Sequence, residues 1–172
     1  MSRFTADCRR CCGLCCLVPA YLKVQGFPFD KPAGKPCPQL QRSGFCGIHD
    51  QRHEMGFGAC SSFDCHGAGQ WITQQLFAGA SWRDSRTTAL DMAAAWNHWL
   101  PRFESAALLE AALPLAGKEQ RALLETRIDE LLDPSRYTMP HTDRGRLRQE
   151  TLVFIRSLLR MERRSAGPAD LD

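Results

Sequence analysis

The chain has no apolar run long enough to cross a membrane, no repeat architecture, and no cysteine after Cys65. Its longest apolar run, Leu14 to Leu22, falls far short of the roughly 18 residues a spanning helix needs, which excludes a transmembrane helix. The opening MSRFTADCRR lacks the apolar stretch of about 7 to 15 residues that marks a secretory signal, so the expected compartment is the cytoplasm. No alternation of strands and helices surrounds the C-x-x-C spacings, which argues against a thioredoxin-like redox motif. HGAGQ lacks the full G-x-x-x-x-G-K-[ST] pattern of a phosphate loop and reads as a tight turn.

Charge of one sign is also scarce. The formal net charge is +3; the first seventy residues carry 8 Lys+Arg against 5 Asp+Glu, the rest 14 against 14. Metal ligation removes even this bias, because ligating cysteines are thiolates. Eight thiolates around two Zn²⁺ ions would add −8 and +4 and take +3 to −1. A nucleic-acid partner is therefore not expected, nor is a membrane; any partner is expected to be a protein.

What the chain does hold is nine cysteines, all between Cys8 and Cys65, five of them in DCRRCCGLCC. A reducing compartment keeps thiols free, and an odd count leaves one unpaired in any all-disulfide scheme, so a disulfide framework is disfavoured. Read as a helix, Cys8, Cys11, Cys12 and Cys15 fall at i, i+3, i+4 and i+7 and share one face. Such a stripe would serve as core, since free cysteine packs as a small hydrophobe. Each cysteine in place of Leu or Val forfeits apolar area, however, and a structural zinc site supplies about 10 to 16 kcal/mol of apparent binding free energy in its place.

Cys37 in KPCPQ, Cys46 in FCGIHD, and Cys60 and Cys65 around SSFD lie in turn-rich segments able to bring sulfur to a common centre. Leaving out one of the crowded pair Cys11 and Cys12, eight thiols remain: two sets of four, as for two tetrahedral zinc sites, two iron-sulfur clusters or one larger assembly. Adjacent side chains such as Cys15 and Cys16 diverge in direction, which favours different metals for the two. The spacings suit zinc and iron-sulfur alike, with Cu(I) a third, less favoured occupant. His49 and His53, four apart, and His66 next to Cys65 are candidate additional ligands; with sulfur in surplus they read as hydrogen-bonding or surface residues, as do His98 and His141.

The expected fold is mainly α: a loop-rich cysteine/metal module over residues 1–68, a small helical bundle over 69–165 and a flexible tail over 166–172. A short helix is expected around Gln70 to Phe77. Asp84 or Ser85 caps a helix through ALDMAAAWNHWL that stops near Pro101, and a further helix carries Ala106, Leu109 and Leu113. Leu124, Ile128, Leu131 and Leu132 stripe the next, and Leu147, Thr151, Phe154, Leu158 and Met161 the last. Trp71, Trp82, Trp96 and Trp99 read as packing residues near the junction. The arginines of the last helix, Arg144, Arg146, Arg148, Arg156, Arg160, Arg163 and Arg164, read as a solvated face rather than a phosphate-binding one.

DCRRCCGLCC, KPCPQL, FCGIHDQRHEMGFGAC and FDC together resemble the CxxCxxCC cysteine-cluster family of zinc- or iron-chelating proteins. The arrangement is most similar to the N-terminal modules of bacterial pentapeptide-repeat proteins and covers residues 6 to about 78. One departure is that three residues, not two, separate Cys11 from the Cys15–Cys16 pair; another is that the repeat itself is missing, apart from Ala169, Asp170 and Leu171. The resemblance implies a ligand set of Cys8, Cys11, Cys15, Cys16, Cys37, Cys46, Cys60 and Cys65, with Cys12 as the extra thiol. It implies no particular reaction: flagellin lysine methylase is a related cluster enzyme, but nothing in this sequence matches a methyl-donor site.

Three functions follow as expectations. The favoured one is a non-enzymatic metal-binding accessory or interaction module, because four thiolates close a zinc site that catalysis needs open. The alternatives are an iron-sulfur redox or metal-dependent enzyme component, and a thiolate store or carrier of copper or zinc.

Overall fold

In the computed structural model the cysteine-rich start of the chain is not one helix. Asp7 caps a single 3-10 turn over Cys8–Arg10, its carboxylate accepting from the Arg9 N–H at 3.1 Å, and Cys11 is then extended at φ −115°, ψ 142°. Gly13 turns left-handed at φ 84° before helix α1, Leu14–Leu17. The break has a steric cause. A Cβ at Gly13 would lie 2.5 Å from Leu40 Cδ1 and 2.8 Å from the Gly44 carbonyl, so only glycine permits this approach and this backbone. The expectation of one shared cysteine face over Cys8 to Cys15 is thereby corrected.

The structure describes residues 3–136 and 143–165; His141, Thr142 and the expected tail at 166–172 fall outside them, as do the side chains of Arg136, Glu162, Arg163, Arg164 and Ser165. The fold is mainly α, as expected, and among the described residues β structure is confined to two isolated antiparallel bridges, Tyr21 with Lys31 and Leu40 with Cys46. The helices after α1 are α2 (Gly58–Ser61), α3 (Ala68–Trp71), α4 (Arg86–Ala112), α5 (Lys118–Leu132) and α6 (Arg144–Ser165). A π-helical turn, Ile72–Leu76, continues α3, so the helix expected around Gln70 to Phe77 is present with a change of pitch.

The chain parts into two units, Met1–Leu100 and Pro101–Asp172. Composition places the boundary near residue 68; packing places it at Leu100. The difference arises because residues 69–100 share the core of the first unit: Ile72, Met92 and Trp99 are fully buried, Thr73 is 3% exposed, and Trp71 and Trp99 meet with ring centroids 4.5 Å apart. Trp82 donates its indole N–H to the Cys12 carbonyl at 3.0 Å. The tryptophans are thus packing residues, with Trp96 also reaching the thiols described below.

α4 does not stop at Pro101. Ser85 caps it, its hydroxyl accepting from the Thr88 N–H at 2.9 Å, and the helix runs 27 residues through the proline. An interior proline costs about 3 kcal/mol or more. Trp96, Trp99 and Leu100 are buried before it and Phe103, Ala106 and Leu109 after it, and two expected helices are one. In the second unit Leu124, Ile128 and Leu131 of α5 are buried, as their spacing requires. Asp143 caps α6 by accepting from the Arg146 N–H at 3.0 Å. Thr151 and Leu158 of α6 are buried and Leu147 and Phe154 half-buried, but Met161 is 60% exposed. Arg144 is bonded through two nitrogens to Glu104, and Arg146 to Glu150 at 2.8 Å.

Candidate metal centre

Side chains of residues 70 and 74 hold the first cysteines in place. Gln70 accepts from the Asp7 N–H and donates to the Thr5 carbonyl at 3.2 Å, and Gln74 donates to the Arg10 carbonyl at 2.9 Å. These bonds draw Cys8 and Cys11 toward Cys65, which precedes α3. Gly69 completes the contact, since a Cβ there would stand 2.8 Å from the Cys11 sulfur. On the other side the Cys37 N–H donates to the Cys16 carbonyl at 2.9 Å, and the Leu40–Cys46 bridge brings Cys46 back toward α1. α2 supplies Cys60.

Seven thiols result around one cavity of about 40 Å³: Cys8, Cys11, Cys15, Cys16, Cys46, Cys60 and Cys65, joined by His49, Arg52 and Trp96. Cys37 is not on the cavity wall. It is packed behind it with Cys16, Tyr21, Phe27 and Phe57, and Cys15, Cys46 and Cys60 lie against that group. Cys12 is elsewhere, buried with its sulfur 3.7 Å from Met92 Sδ and bonded to the Thr73 hydroxyl. All nine cysteines are free thiols.

Cys15 and Cys16 do not diverge into separate surroundings, because both line the one cavity and their thiols share a hydrogen bond. That bond, together with one to Cys46, raises the Cys16 thiol above its ordinary range. It correspondingly lowers Cys15, and brings Cys46 down to about 6. Burial acts the other way elsewhere, pushing Cys8 up to about 11 and Cys11 up to about 12, and raising Cys37, Cys60 and Cys65. The Cys15 thiolate form bears electrostatically on each of these groups and helps to raise them.

Two cations accompany the sulfurs. Arg52 donates to the His49 carbonyl at 2.7 Å and the Cys60 carbonyl at 3.3 Å, and its charge favours the thiolate forms of Cys8, Cys15, Cys46 and Cys60. Lys31, only 2% exposed, donates to the carbonyls of Leu17, Pro19 and Pro32, and burial lowers its pKa. Neither residue is signalled in the sequence. A lysine in FDKPAGKP carries no sign of burial, and Arg52 lies in a segment read for its histidines. Of those, His49 reaches the cavity and bonds Asp50 at 2.9 Å, whereas His53 is exposed. They do not face one point because the 3-10 turn His49–Gln51 ends before His53. His66, at φ 50°, lies 3.9 Å from Asp64, and His98 packs edge-on against Trp99 in the core.

The donor set is soft and suited to zinc, iron-sulfur or Cu(I). Tyr21 adds a second sign of fit: its hydroxyl oxygen is buried beside the cluster without a hydrogen-bond partner, and burial and the neighbouring thiols raise its pKa, keeping it a neutral donor. Among the described residues no group of three or more His, Cys, Asp or Glu side chains stands in a ready-made metal-holding arrangement. Thiols hydrogen-bonded to one another have no reason to meet at the roughly 2.3 Å Zn–S distance from one point, so loading requires side-chain rotation and loss of the remaining protons. A groove of about 800 Å³ opens over Cys8, Cys15, Cys60 and Cys65, walled by Phe4, Phe45, Phe63, Arg9, Arg52 and Asp64 among others.

Among the described residues no helix is long and apolar enough to cross a membrane. No family model matches the chain, and no solved structure matches it. Two curated proteins are similar to parts of it. "Uncharacterized protein YybG" of Bacillus subtilis (strain 168) is 46% identical over 88 residues, 51% of this chain and 32% of that protein. A "UPF0153 protein" of Vibrio cholerae serotype O1 is 44% identical over 41 residues, 23% of this chain and 50% of that protein. The chain thus spans about a third to a half of the length of the relatives it matches, and over these stretches it is similar to YybG and to a UPF0153 protein.

Proposed function

We propose that the chain is a cysteine-cluster protein that binds zinc or an iron-sulfur cluster through Cys8, Cys11, Cys15, Cys16, Cys37, Cys46, Cys60 and Cys65. In this reading it serves as a non-enzymatic accessory or interaction module in the cytoplasm. One observation carries the proposal: seven thiols from five separate segments line one cavity, while Cys12, adjacent in sequence to Cys11, takes no part in it. Hydrophobic packing alone gives no reason for that separation. The shared cavity favours one multi-sulfur centre over two independent tetrahedral sites. The resemblance to the CxxCxxCC family supports the same ligand set.

The test is purification with and without oxygen, followed by elemental analysis and a visible spectrum. Near two zinc per chain in a colourless protein supports structural zinc; a brown protein with iron and labile sulfide supports a cluster; neither, from both preparations, overturns metal binding.

The groove favours a second reading. Its roughly 800 Å³ lie within the usual range of small-molecule sites and it has four of the thiols on its floor, as an iron-sulfur redox or metal-dependent enzyme component requires. A thiolate store or carrier, Cu(I) included, is distinguished by stoichiometry: more than about two exchangeable metals per chain favours it.

A further inference from the structure

Tyr21 is pinned by its backbone and by one face of its ring. Its N–H donates to the Lys31 carbonyl at 3.0 Å, its own carbonyl accepts from the Lys31 N–H at 2.7 Å, and its ring stacks on Phe27 with centroids 4.9 Å apart and planes 10° from parallel. The side chain is 8% exposed, so its hydroxyl is left with little freedom beyond rotation about the C–O bond. The hydroxyl oxygen is nevertheless buried without a partner, a state that folded proteins rarely leave standing.

Cysteines pack around the Tyr21 side chain, though none stands within hydrogen-bond range of its hydroxyl. Tyr21 shares its packing group with Cys16 and Cys37, and Cys15, Cys46 and Cys60 lie against the same group. A neutral thiol is a weak acceptor, whereas a metal-bound thiolate or a cluster sulfide accepts a charge-assisted bond. Lys31 strengthens the case from the same bridge. Its ammonium, 5.9 Å from the Tyr21 ring centroid, spends its donors on three carbonyls, and its buried charge is suited to an anionic centre beside it.

We propose that Tyr21 is a positioning residue of the centre, its hydroxyl donating a hydrogen bond to a ligand sulfur once the thiols have lost their protons to metal. The inference rests on the metal-binding reading above. It assigns Tyr21 a role in the loaded state that it lacks in the metal-free one.

The test compares wild type and Tyr21→Phe, each prepared metal-free under reducing conditions and titrated with Co(II) alone. Wild type should develop sulfur-to-cobalt charge-transfer absorption. In Tyr21→Phe the band should move to longer wavelength, because an unbonded thiolate is the better electron donor, and Co(II) affinity in competition with a chelator should fall roughly tenfold. Metal-free Tyr21→Phe should unfold at the same or higher denaturant concentration than wild type, since the hydroxyl it lacks made no bond. A destabilised or unfolded metal-free variant overturns the proposal, for it means the hydroxyl is already bonded. An unshifted band and unchanged affinity overturn it too, with metal binding intact. Absence of the band in wild type defeats the metal reading itself and this inference with it.

Discussion

The Cys12 sulfur lies 3.7 Å from that of Met92, while its neighbour Cys11 faces the thiol-lined cavity. The extended backbone at Cys11 turns these adjacent side chains to opposite sides, one a candidate ligand and the other a packing residue, before Gly13 turns left-handed into α1.

Cys12→Ala should therefore retain full metal content and lose only the stability of a small buried group, about 1 kcal/mol. Cys15→Ala, on the cavity wall, should abolish or halve metal content. Elemental analysis and denaturant unfolding of the two variants separate the effects; equal metal loss from both would contradict the assignment.

In the metal-free protein the order of thiol reactivity should follow environment. Cys46, held down to about 6 by the Cys16 hydrogen bond, is mostly thiolate at pH 7, whereas Cys8 and Cys11, pushed up to about 11 and 12 by burial, are not. Brief iodoacetamide labelling at pH 7 read by mass spectrometry should find Cys46 modified ahead of Cys8 and Cys11. Because the raised thiols must lose protons to ligate, metal affinity should rise with pH across the neutral range and fall on acidification.

Gly13→Ala should destabilise the first unit by about 1–3 kcal/mol and lower metal content, since it combines a left-handed φ with contacts of 2.5 and 2.8 Å. Gly34→Ala, at φ 71° with nothing within 4 Å, should cost only about 1 kcal/mol and spare the metal. Thermal unfolding of the metal-free variants measures the difference.

Arg144→Ala removes a two-nitrogen bond to Glu104. Arg144 is 58% exposed, so screening limits the loss to about 0.5–1 kcal/mol, falling further in high salt. Unfolding at low and high ionic strength checks both statements.

Periodicity made the helices of the second unit legible: Leu124, Ile128 and Leu131 are buried where their spacing places them. Punctuation was less dependable. Pro101 is a strong local stop signal, yet burial of Trp99 and Leu100 on one side and Phe103 on the other carries α4 through it. Met161 follows the same stripe as Leu158 and stays exposed, because a face pattern does not say where packing runs out.

The sequence by itself determined that the thiols are clustered in the first third of the chain, that helices follow, and that cysteine content exceeds what packing asks for. Spacing along a chain says nothing of where the backbone turns. Tertiary structure alone decided that the extended backbone at Cys11 sends Cys11 and Cys12 to different surroundings, that Cys15 and Cys16 meet in one cavity, and that Tyr21, Lys31 and Arg52 stand beside the sulfurs. Those outcomes depend on close approaches between residues far apart in sequence, such as Gly13 with Leu40 and Gly69 with Cys11, which no local propensity encodes.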